Sequence, residues 1–317
     1  MFAASVFLAV LAFALAWPVP VILSRAKWPA RAPATALVLW QAIALAGGLS
    51  MIGSLLTYGL IPFGDTLVSS VVTLTQTLFG SVVVTSAELL HLVALSGGLL
   101  LTAHLLLNLF LTLVVSQRQR RRHRQLIQLL SSPVPDQPNT RIIEHEVPVA
   151  YCLPGTQHSV TVFSAGLIGL LDEDELRGVI EHEKAHLMQR HYIVLMAFGA
   201  WRSSLPWFPI ATRAQREVGM LVEMLADDYA RRVVDDRTLA TAIALVSIGS
   251  SKGVPENPEE WMPQSSTDGQ VNARVIRLME GTTSLPIPAR IAVGASALAL
   301  VAVPTVLLLA PALGALA

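Results

Sequence analysis

Cysteine occurs once in 317 residues, at Cys152. No intrachain disulfide can form, and a disulfide-stapled extracellular scaffold is excluded. Charge is scarce too, at 14% of residues against about 25% in ordinary soluble domains. Neither sign is in excess, since 22 basic residues stand against 22 acidic ones. That balance argues against a chain-wide basic surface, and no direct nucleic-acid contact is expected. The chain also lacks an internal repeat and a glycine-rich phosphate loop.

Apolar sequence takes the place of charge: 53% of residues are hydrophobic and the mean hydropathy is +0.58. This is the composition of a membrane protein, and the lipid bilayer is its first expected partner. Residues 1–24 form one uncharged run, long enough to cross about 30 Å of hydrocarbon at 1.5 Å per residue. The run has no basic leading region and no clear small-residue cleavage site, so an uncleaved helix is expected. Further runs cover 33–62, 89–116 and 291–317.

The charges between these runs give an orientation. Arg25, Lys27 and Arg31 follow the first run, and Arg118, Arg120, Arg121, Arg122 and Arg124 follow the third. By the positive-inside rule both clusters lie in the cytoplasm. The N-terminus is then outside, residues 117–290 are inside, Arg290 marks the inner end of the fourth span, and the C-terminus is outside. The arginine cluster is read as an anchor on lipid headgroups. Residues 66–87 are also uncharged, but a span there would put that cluster outside. Leu67, Val71, Leu74 and Leu78 repeat at helical spacing among many polar residues, which predicts an amphipathic helix at the outer interface.

Chemistry concentrates in His182-Glu183-Lys184-Ala185-His186. On a helix, residues four apart lie on one face, so both imidazoles can reach a single ion. Neutral histidine nitrogens suit Zn²⁺, and a catalytic zinc site uses three protein ligands. Glu183 lies beside His182, where it can take a proton from water instead of binding metal. The third ligand decides the class. A metzincin needs Gly at 189 and His at 192, but the chain has Gln189 and Tyr192, so that class is excluded.

His191 is five residues beyond His186, about 140° round a continuous helix, and is expected to point away. Glu223 is the expected third ligand, on a second helix in Glu223-Met224-Leu225-Ala226-Asp227. Asp227, one turn on, is expected to accept a hydrogen bond from a ligand imidazole. The competing reading makes Glu223 and Asp227 an ordinary solvated face near Arg231 and Arg232. With both motifs together the arrangement is that of a gluzincin. In the expected mechanism, zinc lowers the pKa of its water towards 7 and Glu183 is the catalytic base. His191, Tyr192 and Tyr229 are open candidates for an oxyanion donor.

Around the motif, residues 131–138 carry three prolines and read as a linker. Residues 141–152 and 159–163 read as short strands, the second a place where substrate adds as a strand or else part of the core. Asp172-Glu173-Asp174-Glu175 opens a helix expected to run to about His191. Trp207-Phe208-Pro209 interrupts before the Glu223 helix. Residues 250–270, with Pro255, Pro258 and Pro263, read as a loop, and 272–279 as a helix returning to the membrane. His104, inside the third span, is expected to bond to a neighbouring helix.

These features resemble the BlaR/MecR family of membrane zinc proteases. The resemblance rests on the outward N-terminus, the four spans, His182-Glu183-x-x-His186 and the later Glu223 and Asp227. HExxH with a following ExxAD is also similar to the HtpX and CAAX prenyl protease group. The implied fold is a mainly α membrane protein of four transmembrane helices, with a cytoplasmic α+β gluzincin-type domain inserted between helices 3 and 4. The expected division is 1–116 for three spans with the outer segment, 117–288 for the protease domain and 289–317 for the fourth span. The expected form is one lacking the family's C-terminal penicillin-binding sensor domain.

The resemblance implies a zinc endopeptidase that cleaves a BlaI-like winged-helix repressor in response to a signal, with homodimer formation an open option. An HtpX-like quality-control protease and a non-enzymatic receptor or scaffold are the alternatives.

Overall fold

The computed structural model describes residues 1–64, 67–79, 86–134, 137–153, 160–206, 209–251, 268–281 and 283–313. The described chain is mostly helical with one small sheet. Its elements are α1 (Phe2–Ala16), α2 (Pro18–Arg25), α3 (Pro33–Leu60), α4 (Leu67–Phe79), α5 (Ser86–Leu130), β1 (Ser131–Val134), β2 (Gln137–Ile143), β3 (Ala150–Leu153), β4 (Val160–Ser164), α6 (Ala165–Leu170), α7 (Glu173–Met188), α8 (His191–Ser204), α9 (Pro209–Ala230), α10 (Asp236–Ser251), α11 (Asp268–Glu280) and α12 (Ile287–Leu313). They form two compact units. One holds Met1–Phe110, Ala200–Gln215 and Leu285–Ala317, and the other holds Leu111–Gly199 and Arg216–Ser284.

Four helical segments among the described residues are long and apolar enough to cross a membrane: Phe2–Arg25, Pro33–Phe63, Glu88–Ile127 and Ile287–Leu309. Within the first unit, α3 packs against both α1 and α12. Small residues let such helices approach closely, because lipid offers no hydrophobic drive for them to associate. At Gly59 a methyl group would lie 2.8 Å from the backbone nitrogen of Leu95, so only glycine permits this contact between α3 and α5. Polar atoms in α5 find partners on α8. His104 Nε2 is 3.2 Å from the Ser204 carbonyl, and Asn108 Nδ2 donates to the Ala200 carbonyl at 2.7 Å. His104 is thus bonded to a neighbouring helix, which satisfies a polar group placed on a long apolar helix. Among the described residues α4 covers thirteen, about 20 Å, and part of the segment expected over 66–87 lies outside the described residues.

In the second unit the sheet order is β1-β2-β4-β3, with β2 and β4 parallel and the other pairs antiparallel. This corrects three expectations. The proline-bearing stretch from Ser131 is not a linker: β1 pairs with β2, with a register shift at Pro133/Val134. Proline is tolerated there because β1 is an edge strand and the shift is a bulge. The strand expected over 141–152 is also divided, ending at Ile143 and resuming at Ala150. Nor is β4 a free edge, since it pairs with β2 on one side and β3 on the other. The edge nearest the motif helix is β3, which packs on α7.

Phe163 of β4 joins Leu167, Leu171, Val179 and Ala242 in a buried cluster that seats α7 and α10 against the sheet. Ala230, Val234, Leu239, Ala240 and Leu278 form a second cluster joining α9, α10 and α11. Burial of this kind stabilises by roughly 25 cal/mol per Å² of apolar surface. It also fixes the mutual rotation of the three helices that carry the polar site. The aromatic pair Trp207-Phe208 and most of the expected 250–270 loop lie outside the described residues.

Candidate metal centre

Helix α7 begins at a capping box. The Asp172 carboxylate accepts from Glu175 N at 2.8 Å, and the Glu175 carboxylate accepts from Asp172 N at 3.0 Å. Glu173, Asp174 and Glu175 in the first turn favour the positive end of the helix dipole. Its inward face carries Gly178, Val179, His182 and Ala185, so helical period alone aims the first motif histidine at the core. A β-carbon at Gly178 would stand 3.2 Å from Val234, which keeps α7 close to its neighbours.

The helix stops sooner than the sequence suggested. Met188 is its last residue, and Arg190 takes a left-handed conformation with φ of 51°. His191 therefore opens α8 instead of continuing α7. A 140° separation from His186 holds only on one unbroken helix, and here the helix is broken at Arg190. His191 is buried, with Nδ1 3.0 Å from Nδ1 of His186.

Glu223 and Asp227 stand one turn apart on α9, and Asp227 is 0% exposed. This overturns the solvated-face reading, since a carboxylate so buried requires partners. Arg231 turns instead to Asp236 and Asp228, and Arg232 lies over the Tyr229 ring.

Three side chains converge. His182 Nε2 and His186 Nε2 are 3.1 Å apart, Glu223 Oε2 is 3.4 Å from the first, and Glu223 Oε1 is 3.5 Å from the second. Ligand atoms bound tetrahedrally at about 2.1 Å stand roughly 3.4 Å from one another. The observed spacings match that figure, and two imidazoles with one carboxylate are a donor set suited to Zn²⁺. The cluster can therefore hold a metal ion. Behind it, His182 Nδ1 is 3.0 Å from Asp227 Oδ1, as expected for the acceptor of a ligand imidazole. The contact departs from a straight N–H···O line. At that separation, and shielded from water, the two groups attract each other electrostatically.

Sequence reasoning missed Arg274, on α11. Its Nε and Nη2 donate to Asp227 Oδ2 and Oδ1 at 2.8 and 2.7 Å, and its Nη1 donates to Glu223 Oε2 at 2.9 Å. Its charge also interacts with that of Glu183. Arg277, one turn-face away, pairs with Asp228. Val271, Arg274 and Leu278 occupy one helical face and all are buried, so the fold places a charge at a core position.

The charges set the protonation of the cluster. Burial works against ionised carboxylates, but Arg274 overrides it and holds Glu223 and Asp227 well below the usual carboxylate range. Burial also opposes a charged His182, yet its contacts with Asp227 and Glu223 raise it to about 9. For His186 and His191 burial dominates, lowering them to about 3 and about 4.

The open oxyanion candidates fare differently from one another. Tyr229 donates to Met188 Sδ at 3.2 Å, and the Tyr192 ring lies 4.0 Å under the Arg120 guanidinium. Of the three, His191 is the one in contact with a residue of the cluster. Glu183 is partly buried on α7 between the two histidines.

No solved structure matches the chain. Residues 116–219, a stretch that contains His182, Glu183 and His186 but stops short of Glu223, match the family model described as Peptidase family M48. That match and the His-His-Glu cluster together support a zinc-dependent metallopeptidase of the membrane type.

Proposed function

We propose that this chain is a membrane zinc endopeptidase with its active site in the cytoplasm, cleaving a winged-helix repressor of the BlaI kind in response to a signal. The observation that carries the catalytic reading is the convergence of His182 Nε2 and His186 Nε2, 3.1 Å apart, with the Glu223 carboxylate, whose Oε2 is 3.4 Å from the first and Oε1 3.5 Å from the second. When bound there, zinc supplies Lewis acidity to water and to the peptide carbonyl. Glu183 takes the proton of the attacking water and delivers it to the departing amide nitrogen. Asp227 orients His182, and Arg274 fixes Glu223 by occupying its Oε2. The outer edge of β3, an edge strand among the described residues and packed on α7, offers backbone groups to an extended substrate.

The cytoplasmic placement rests on the arginines at 118–124 following the third apolar run. The repressor rests on the BlaR/MecR resemblance. A second reading, an HtpX-like quality-control protease, is favoured by Glu223-Met224-Leu225-Ala226-Asp227, which has the ExxAD form.

One comparison tests both. The proteomes of cells carrying wild type or Glu183→Gln are compared with and without stimulus. A single repressor that persists only in the variant supports the first reading. Many misfolded membrane proteins accumulating supports the second, and identical proteomes with no peptidase activity in purified protein overturn both.

A further inference from the structure

We propose that His191 is a positioning residue for His186, holding the imidazole in the tautomer that leaves Nε2 free to bind a metal ion. The inference rests on the zinc reading above and extends it to a residue outside the ligand set.

The direction of the hydrogen bonds can be followed from one end. Gln189 Oε1 only accepts, and His191 Nε2 lies 2.9 Å from it, so the proton is on His191 Nε2. A neutral His191 then has a lone pair on Nδ1. His186 Nδ1 is 3.0 Å from that lone pair and must donate to it. With its proton on Nδ1, His186 carries a lone pair on Nε2, the atom that faces His182 Nε2 and Glu223 Oε1. Each hydrogen of the chain has one place, and the free electron pair emerges at the cluster. The reverse polarity would put a proton on His186 Nε2 and close it to a cation.

The fold supplies this arrangement. The left-handed Arg190 ends α7, and Ile193 N donates back to the Arg190 carbonyl at 2.9 Å as α8 begins. The two imidazoles meet edge to face, with planes at 86° and centroids 4.9 Å apart. His191 is 2% exposed, so water does not compete for its nitrogens. Asp227 stands to His182 as His191 stands to His186, which gives each ligand imidazole its own acceptor.

The test uses the full-length protein in detergent. Zinc dissociation constants are measured by chelator competition for wild type, His191→Leu, His191→Asn and Gln189→Ala, and Co²⁺-loaded forms are compared by visible absorption. Leu keeps the apolar bulk and should weaken zinc about 10- to 100-fold, with a shifted Co²⁺ spectrum. Asn places an acceptor near the position of Nδ1 and should restore most of the affinity and the wild-type spectrum. Gln189 is exposed, so its replacement does not threaten folding; it should weaken zinc in the same direction by less. Zinc affinity unchanged in both His191→Leu and Gln189→Ala would overturn the proposal, as would Asn losing as much as Leu. Wild type that binds no zinc would overturn the metal centre itself, a distinct result from wild type with one zinc per chain and an indifferent His191.

Discussion

Arg274 and Asp227 meet through two parallel hydrogen bonds, 2.8 Å from Nε to Oδ2 and 2.7 Å from Nη2 to Oδ1, in a site where both are buried. Paired geometry of this kind is specific to the planar guanidinium, so lysine is not an equivalent substitute. The pair joins α11 to α9 directly behind the ligand cluster.

Removing Arg274 strands the buried Asp227 carboxylate and the partly buried Glu223 carboxylate. Arg274→Met should destabilise the unit by about 3–5 kcal/mol, read from denaturant unfolding in detergent. The pH dependence has a defined sign. Asp227 and Glu223 have lowered folded values, so their contribution is present above the unfolded carboxylate range and is lost as pH falls through the folded ones. Wild type should resist acid further down than Arg274→Met. Equal stability and equal acid midpoints would contradict this account.

Metal content should follow the geometry. Purified wild type is expected to hold one zinc per chain, and His182→Ala, His186→Ala and Glu223→Ala each to lose most of it. Elemental analysis after dialysis measures this. Full retention in Glu223→Ala would move the third ligand elsewhere.

Glu183→Gln separates binding from chemistry. The amide is nearly isosteric but cannot accept the proton of water, so zinc and fold should persist while peptide cleavage falls about 10²- to 10⁴-fold. A variant that cuts at the wild-type rate would remove Glu183 from the role of base.

The capping box predicts a purely structural effect. Asp172→Ala should cost about 1 kcal/mol of stability by freeing Glu175 N, with zinc affinity unaltered. A large loss of zinc would mean that the start of α7 is coupled to the site ten residues away.

How much could be read in advance followed the distance in sequence over which each interaction acts. His182, His186, Glu223 and Asp227 were legible because helical period turns a spacing of four into a shared face. Arg274 was not, because its partners lie 47 and 51 residues away and its own helix looks like any amphipathic segment. The place of His191 was hidden because one backbone angle, at Arg190, breaks the helical period. The strands around Pro133 and Pro138 were hidden because proline signals a loop unless the strand is known to lie at an edge or the residue outside the paired stretch, as Pro138 lies before the Thr140–Ile143 pairing with β4.

The place of Arg274 in the chain has a consequence for timing. It follows His182 by roughly ninety residues, and at about 5–20 residues per second a ribosome needs several seconds to add them. Through the second half of that interval, from Asp227 onward, the histidines and both acids already exist without the cation that fixes Glu223 and neutralises Asp227. The closed cluster therefore forms only once α11 has been made and docked, so a nascent chain carries the HExxH sequence well before it carries a complete site.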